Sequence, residues 1–122
     1  MKFLGELEPL AFAALRVVVG FMYMCHGAQK LFGAFGGHAQ HAPLMLAAAI
    51  IEFGGGILII LGLLTRFVAF LGSGEMAVAY FMVHQPKGML PIQNGGELAV
   101  LYCFVLLFIA CHGAGKFAVD KS

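Results

Sequence analysis

The sequence predicts an all-α protein, a four-helix transmembrane bundle with its N and C termini on the cytoplasmic side. Three observations carry that prediction. First, the 122 residues are 61% hydrophobic and only 11% charged, with a mean hydropathy of +0.95, whereas a soluble domain carries about 25% charged residues. Second, the apolar residues gather into four runs, at about 10–31, 43–64, 67–83 and 96–112. A run of about 20 apolar residues crosses the ~30 Å hydrocarbon core, with ~17 as the lower limit. Third, the runs lack the alternation of barrel strands, and a helix is the other backbone that satisfies its own polar groups in lipid. The net charge of +1 gives no sign of a nucleic-acid partner.

The first run follows Pro9 and the second opens at Pro43, where proline suits a helix start. Leu10–Met24 lacks the basic, apolar and small-residue succession of a cleaved signal peptide, so it reads as retained helix. Gly33–Ala42, with Gly36-Gly37, His38 and His41, forms the next loop. The link Leu64-Thr65-Arg66-Phe67 is so short that spans two and three form a tight antiparallel hairpin. His84–Gly95, rich in Pro and Gly, leads into span four, and residues 1–122 make one membrane domain. Lys2, Arg66, Lys116 and Lys121, with Arg16 near the start of span one, fall on one side; Lys30 and Lys87 fall on the other. The excess of Lys and Arg marks the cytoplasmic side.

Ionisable residues inside the spans are the informative ones, because each costs several kcal/mol unless paired or solvated. Arg16, Glu52 and Glu75 lie in spans one, two and three. At ~1.5 Å rise per residue they stand roughly 9–10, 18 and 12 Å above the cytoplasmic edge. The three are expected to meet in the interior, with Arg16 and Glu75 best matched in depth. One cation facing two carboxylates leaves a surplus negative charge, and Glu52 is the expected carrier of a compensating proton. These three are the candidate catalytic residues; the alternative is a polar clamp that only fixes helix packing.

At the other face, His26, Gln29 and Lys30 share a helical stripe by their spacing. Glu97 starts span four at the same level and is an expected ion-pair partner of Lys30. His26, Lys30 and Glu97 form a candidate ligand-binding cluster. His38-x-x-His41, with His26 and His84, is a weak candidate for a divalent metal; solvated loop histidines are the favoured reading, and no metal is expected. Gly54-Gly55-Gly56 follows Glu52 closely. Small residues let helices approach in lipid; packing is favoured, with Gly54 and Gly55 as candidates for a shelf under a flat ligand. Cys103 lies within an apolar run, where a thiol acts as a small hydrophobe, and no haem-attachment, P-loop or dinucleotide motif is present. "CHGAQK" (Cys25–Lys30) and "CHGAGK" (Cys111–Lys116) are near repeats. They fall at opposite faces, so they cannot share an ion, and the favoured reading is two helix C-terminal caps.

"LRVVVGFMYMCHGAQKLFG" (Leu15–Gly33), "IEFGGGILIILGLLTR" (Ile51–Arg66) and "NGGELAVLYCFVLLFIACHGAGKFAVD" (Asn94–Asp120) resemble, in order, segments of the DoxX family. His26, Lys30, Glu52, Glu97 and Asp120 match its motifs, Arg16 and Glu75 fall at family-like places, and His112 is less typical. The resemblance implies a small multi-pass protein of a bacterial or archaeal cytoplasmic (inner) membrane. Some members are linked to quinol oxidation or thiosulfate:quinone oxidoreduction, others to quinone resistance or redox stress. The expected function is therefore a quinone-linked, redox-associated subunit, with quinone the candidate cofactor. Lipid, redox-complex subunits and a second copy of the chain are the candidate partners. A non-catalytic scaffold or assembly factor is the alternative, and a small transporter a more remote one.

Overall fold

A computed structural model describes residues 1–39 and 41–120; Lys121, counted above toward the cytoplasmic side, lies outside the described residues. Six α-helices follow in order among them: α1 (Lys2–Glu6), α2 (Glu8–Phe32), α3 (Pro43–Leu61), α4 (Thr65–Ala79), α5 (Pro91–Asn94) and α6 (Glu97–His112). No strand occurs among the described residues. α2, α3 and the continuous helical path Thr65–Lys87 are long and apolar enough to cross a membrane. α6 is apolar but shorter, with 16 residues, or about 24 Å at 1.5 Å per residue.

The third long segment outruns its expected end at residue 83. After α4 it continues as a π-helical turn, Tyr80–His84, and a 3-10 turn, Gln85–Lys87. Pro86 sits at the start of that last turn, where its missing N–H breaks no helical bond. The hairpin link is Gly62–Leu64, slightly earlier than expected. Gly62 takes the left-handed conformation at φ 72°, and Leu64 does so at φ 53°, a region a branched side chain rarely occupies. The C-terminal tail holds this turn: Val119 N–H donates to Leu61 O at 3.0 Å and Asp120 N–H to Gly62 O at 2.9 Å. Leu64 N–H donates to the Asp120 carboxylate at 3.2 Å. Asp120 is thus tied to the hairpin by both its backbone and its side chain.

α2 and α3 touch backbone to backbone because glycines face the seam. A Cβ on Gly27 would collide with the Phe53 backbone, and one on Gly56 would sit 2.5 Å from Met24 N. α4 and α6 pair in turn, where Ser73 Oγ donates to Cys103 O at 2.7 Å. The core between the pairs holds Tyr23, Ile59, Ala69, Met76, Tyr102 and Leu106. Arg66 donates to Cys111 O at 2.8 Å and Ala110 O at 3.2 Å, so a cation closes the carbonyl end of α6.

Candidate functional site

Glu52 lies on the α3 face turned to α2 and is 0% exposed. Lys30, in the last turn of α2, reaches it: Nζ stands 2.7 Å from Glu52 Oε2, with the lysine side chain 25% exposed. Glu75, half-buried on α4, accepts a hydrogen bond from the Tyr23 hydroxyl at 2.8 Å. Glu52 and Glu75 lie within each other's electrostatic reach, with Lys30 also in range. Two carboxyls therefore share one cation. Lys30 contacts Glu52 directly, and the hydrogen-bond partners of Glu75 are the Tyr23 hydroxyl and Glu52.

Glu52 and Glu75 stand in side-chain hydrogen-bond contact, which two carboxyls make only by sharing a proton. The Tyr102 hydroxyl is buried and without a hydrogen bond. An unpaired buried polar atom costs about 1–3 kcal/mol, more when charged, so such atoms are uncommon and call for an explanation. Tyr102 is within electrostatic reach of Glu52 and Cys25. Its ring packs on Tyr23 at 5.8 Å and 43°, and meets His26 edge-on at 5.8 Å and 90°. Beside His26, a concavity of about 220 Å³ is lined by Met22, Cys25, His26 and Gln29.

Arg16 is not part of this cluster, contrary to the expected Arg16–Glu75 contact. It is 2% exposed, and its guanidinium donates to four backbone carbonyls. These are Ile59 O at 3.0 Å, Ala114 O at 2.6 Å, Ile60 O at 3.2 Å and Phe117 O at 2.8 Å. Depth along the helix was a poor guide, because the side chain is drawn to the carbonyl end of α3, where the helix dipole is negative. The five donors of the fork suit several carbonyls at once.

The expected Lys30–Glu97 pair is likewise replaced by Lys30–Glu52. Glu97 is exposed at the start of α6, where a carboxylate favours the positive end of the helix. His26, Gln29 and Lys30 diverge: His26 turns to α6, Lys30 to α3, and Gln29 donates to Phe35 O at 3.1 Å. No three His, Cys, Asp or Glu among the described residues converge as metal ligands. His38 and His41 are exposed, while His84 Nδ1 stands 3.4 Å from Asn94 O. Gly54 faces open space, whereas Gly55 lies against Val68 and Tyr23, so the two glycines do not form one shelf. The first hexapeptide is also no helix cap. α2 runs through it to Phe32 and ends at Gly33. In the second copy, Gly113 (φ 93°) does close α6, and His112 Nε2 lies 3.1 Å from Glu8 Oε1.

Tyr23 and Tyr102 were absent from the candidates because each sits in an apolar run and reads as packing. The available signal was a hydroxyl in a span, which needs a partner as a carboxylate does. Asn94 was missed similarly: its amide donates to Tyr80 Oη at 2.9 Å and Gly88 O at 3.1 Å, and its oxygen accepts from Gly96 N–H at 2.8 Å. That fully bonded clamp shapes the turn before α6.

These features define a helical membrane protein with a charged cluster sealed inside its apolar helices. The DoxX family model matches residues 11–85, and the chain belongs to that family. It is 45% identical to an uncharacterised protein of Haemophilus influenzae over 99% of this chain and 96% of that one. It is 26% identical to the inner membrane protein YqjF of Escherichia coli, over 95% and 94% of the two chains. To CatD of Bacillus subtilis, named a candidate oxidoreductase, it is 29% identical over 87% and 81%. No solved structure matches the chain.

Proposed function

We propose that the chain is a four-helix transmembrane bundle of a bacterial or archaeal inner membrane, with both termini cytoplasmic, and that it serves as a quinone-linked redox-associated subunit. Its quinone- and proton-handling site is the cluster of Lys30, Glu52, Glu75 and Tyr23. The observation that carries this reading is the pair of carboxyls Glu52 and Glu75, in side-chain hydrogen-bond contact beside Lys30, with Glu52 fully buried. Two carboxyls make such a contact only by sharing a proton, so the pair is a place in an apolar interior where a proton is held and exchanged. A relative named for oxidoreduction and another named for the inner membrane support the same reading. The sequence carries no haem-attachment or dinucleotide motif, so electrons pass to or from a partner subunit or a bound substrate.

The scaffold reading has its own support in the Arg16, Arg66 and Asn94 contacts, which lock helix ends and turns. The two readings part at Glu52. The purified protein is expected to carry quinone absorbance, or to gain thermal stability with quinone analogues, and Glu52→Gln is expected to lower that gain. No bound quinone and no stabilisation by any analogue leaves the scaffold reading standing.

A further inference from the structure

The carboxyl pair has unlike surroundings toward its two ends. Toward the C-terminal end of α2, polar side chains continue to the surface. Lys30, 25% exposed, stands on Glu52, and half-buried His26 and Gln29 lie beside it on the same stretch of α2. Tyr23, Cys25, His26 and Lys30 on α2 and Tyr102 on α6 are the titratable groups around Glu52 and Glu75. Toward the Arg16 end the interior is apolar. Ile59 on α3 and Val68 on α4 each stand two turns from the carboxyl of their own helix, roughly 10 Å at ~1.5 Å per residue. With Ala69, Leu106 and Ile109 they form a buried layer. It begins directly at the pair: a Cβ on Gly72 would stand 2.9 Å from the Tyr23 hydroxyl and 3.1 Å from Leu106. Ser73, buried nearby, commits its hydroxyl to Cys103 O at 2.7 Å. Beyond the layer sits Arg16, held by four carbonyls, and its fixed positive charge opposes any cation approaching from that end.

We propose that the Glu52–Glu75 pair exchanges protons with one face of the membrane only: Lys30 opens the way at its end, and the apolar layer backed by Arg16 bars the other. The inference deepens the proton-handling part of the reading above and rests on it. Lys30 is a positioning residue. Its long stem lets the ammonium turn outward, and water then reaches Glu52. On release, the O–H bond of the shared proton breaks, the proton leaves on that water as hydronium, and two carboxylates stay beside one ammonium. Uptake reverses each step. In the apolar layer a hydrated proton would have to shed its water, which costs several kcal/mol. A redox partner that takes or gives protons at this pair therefore draws them from the Lys30 face, and the chain passes none across the membrane.

The test uses the full chain with Cys25→Ala, Cys103→Ala and Cys111→Ala and one new cysteine, Glu75→Cys, with Glu52→Cys as a second probe. Right-side-out and inverted membrane vesicles are exposed briefly to silver ion in chloride-free buffer, and reaction is read as loss of later labelling by N-ethylmaleimide. His38→Cys and Lys116→Cys, exposed near the two ends, report which face each vesicle presents. Silver is expected to react with the probe at least several-fold faster from the His38 face than from the Lys116 face, and Lys30→Ala to speed that reaction. Equal rates from both faces overturn the seal. No reaction of either probe from either face, in protein that labels fully once unfolded, overturns the access path, and an unchanged rate with Lys30→Ala overturns the part given to Lys30. The infrared band of a protonated carboxyl, expected in wild type and lost in Glu52→Gln and in Glu75→Gln, tests the shared proton separately. Its absence from wild type overturns the proton reading whatever the silver rates; its presence with equal silver rates overturns the sidedness alone.

Discussion

Arg16 and Glu52 are both ionisable side chains sealed among apolar helices, 2% and 0% exposed, yet their surroundings differ. Arg16 is met by four carbonyls from α3 and the C-terminal tail. Glu52 is met by one cation, Lys30, and by a second carboxyl, Glu75. Burial of an ionisable group therefore does not by itself mark a working site. A charge met by fixed carbonyls ties elements together; two carboxyls that share a proton can also exchange it. Arg16 joins three segments distant in sequence at one end of the molecule, while the Glu52 cluster gathers two carboxyls around one lysine near the other.

The largest expected effect is at the satisfied end. Arg16→Met removes donors from four carbonyls, and hydrogen bonds to charged groups are worth about 1.5–3 kcal/mol each. Allowing for water reaching some carbonyls, a loss of about 3 kcal/mol or more is expected in reversible denaturant unfolding from mixed micelles, with Arg16→Lys losing less. Next comes the glycine seam. Gly27→Val drives a side chain into the Phe53 backbone, and overpacking of this kind costs about 1–3 kcal/mol. The same unfolding assay reads it, and Lys30 is displaced from Glu52 as α2 moves away.

Glu52→Gln is expected to separate the two regions. Lys30 is 25% exposed and can turn its ammonium outward along its flexible stem, so the cost is that of lost buried hydrogen bonds, about 1–3 kcal/mol, below that of Arg16→Met. Stabilisation by quinone analogues is expected to fall to background in the same preparation. The smallest effect is at His112, whose pair with Glu8 is largely open to water. His112→Ala is expected to cost under about 1 kcal/mol, with part of that loss remaining at high salt because the ring also stacks on Phe12 at 3.8 Å.

Helices were legible because the apolar runs have lengths and boundaries that lipid imposes. Glu52 and Glu75 were legible as a neighbouring pair because carboxyls in a span must find company. Their partners were not. Lys30 was placed outside the core by its position near a helix end, but its long stem carries the ammonium inward to Glu52. Arg16 was matched by height alone, which ignores that helix ends compete with carboxylates for a guanidinium. The two hexapeptides show the limit most clearly. Gly27 and Gly113 stand in the same four-letter context, Cys-His-Gly-Ala. One glycine admits a neighbouring backbone in mid-helix and the other ends a helix, and only the facing element decides which.

The central claim is that the Glu52–Glu75 carboxyl pair serves a ligand and Arg16 serves the fold. The most direct measurement is the unfolding temperature of wild type and Glu52→Gln in lipid, with and without duroquinone as the quinone analogue. The account predicts a smaller fall in midpoint for Glu52→Gln than for Arg16→Met without ligand, and a ligand-induced rise in wild type that Glu52→Gln lacks. An equal rise in both proteins, or a collapse of Glu52→Gln without ligand as deep as that of Arg16→Met, would contradict it.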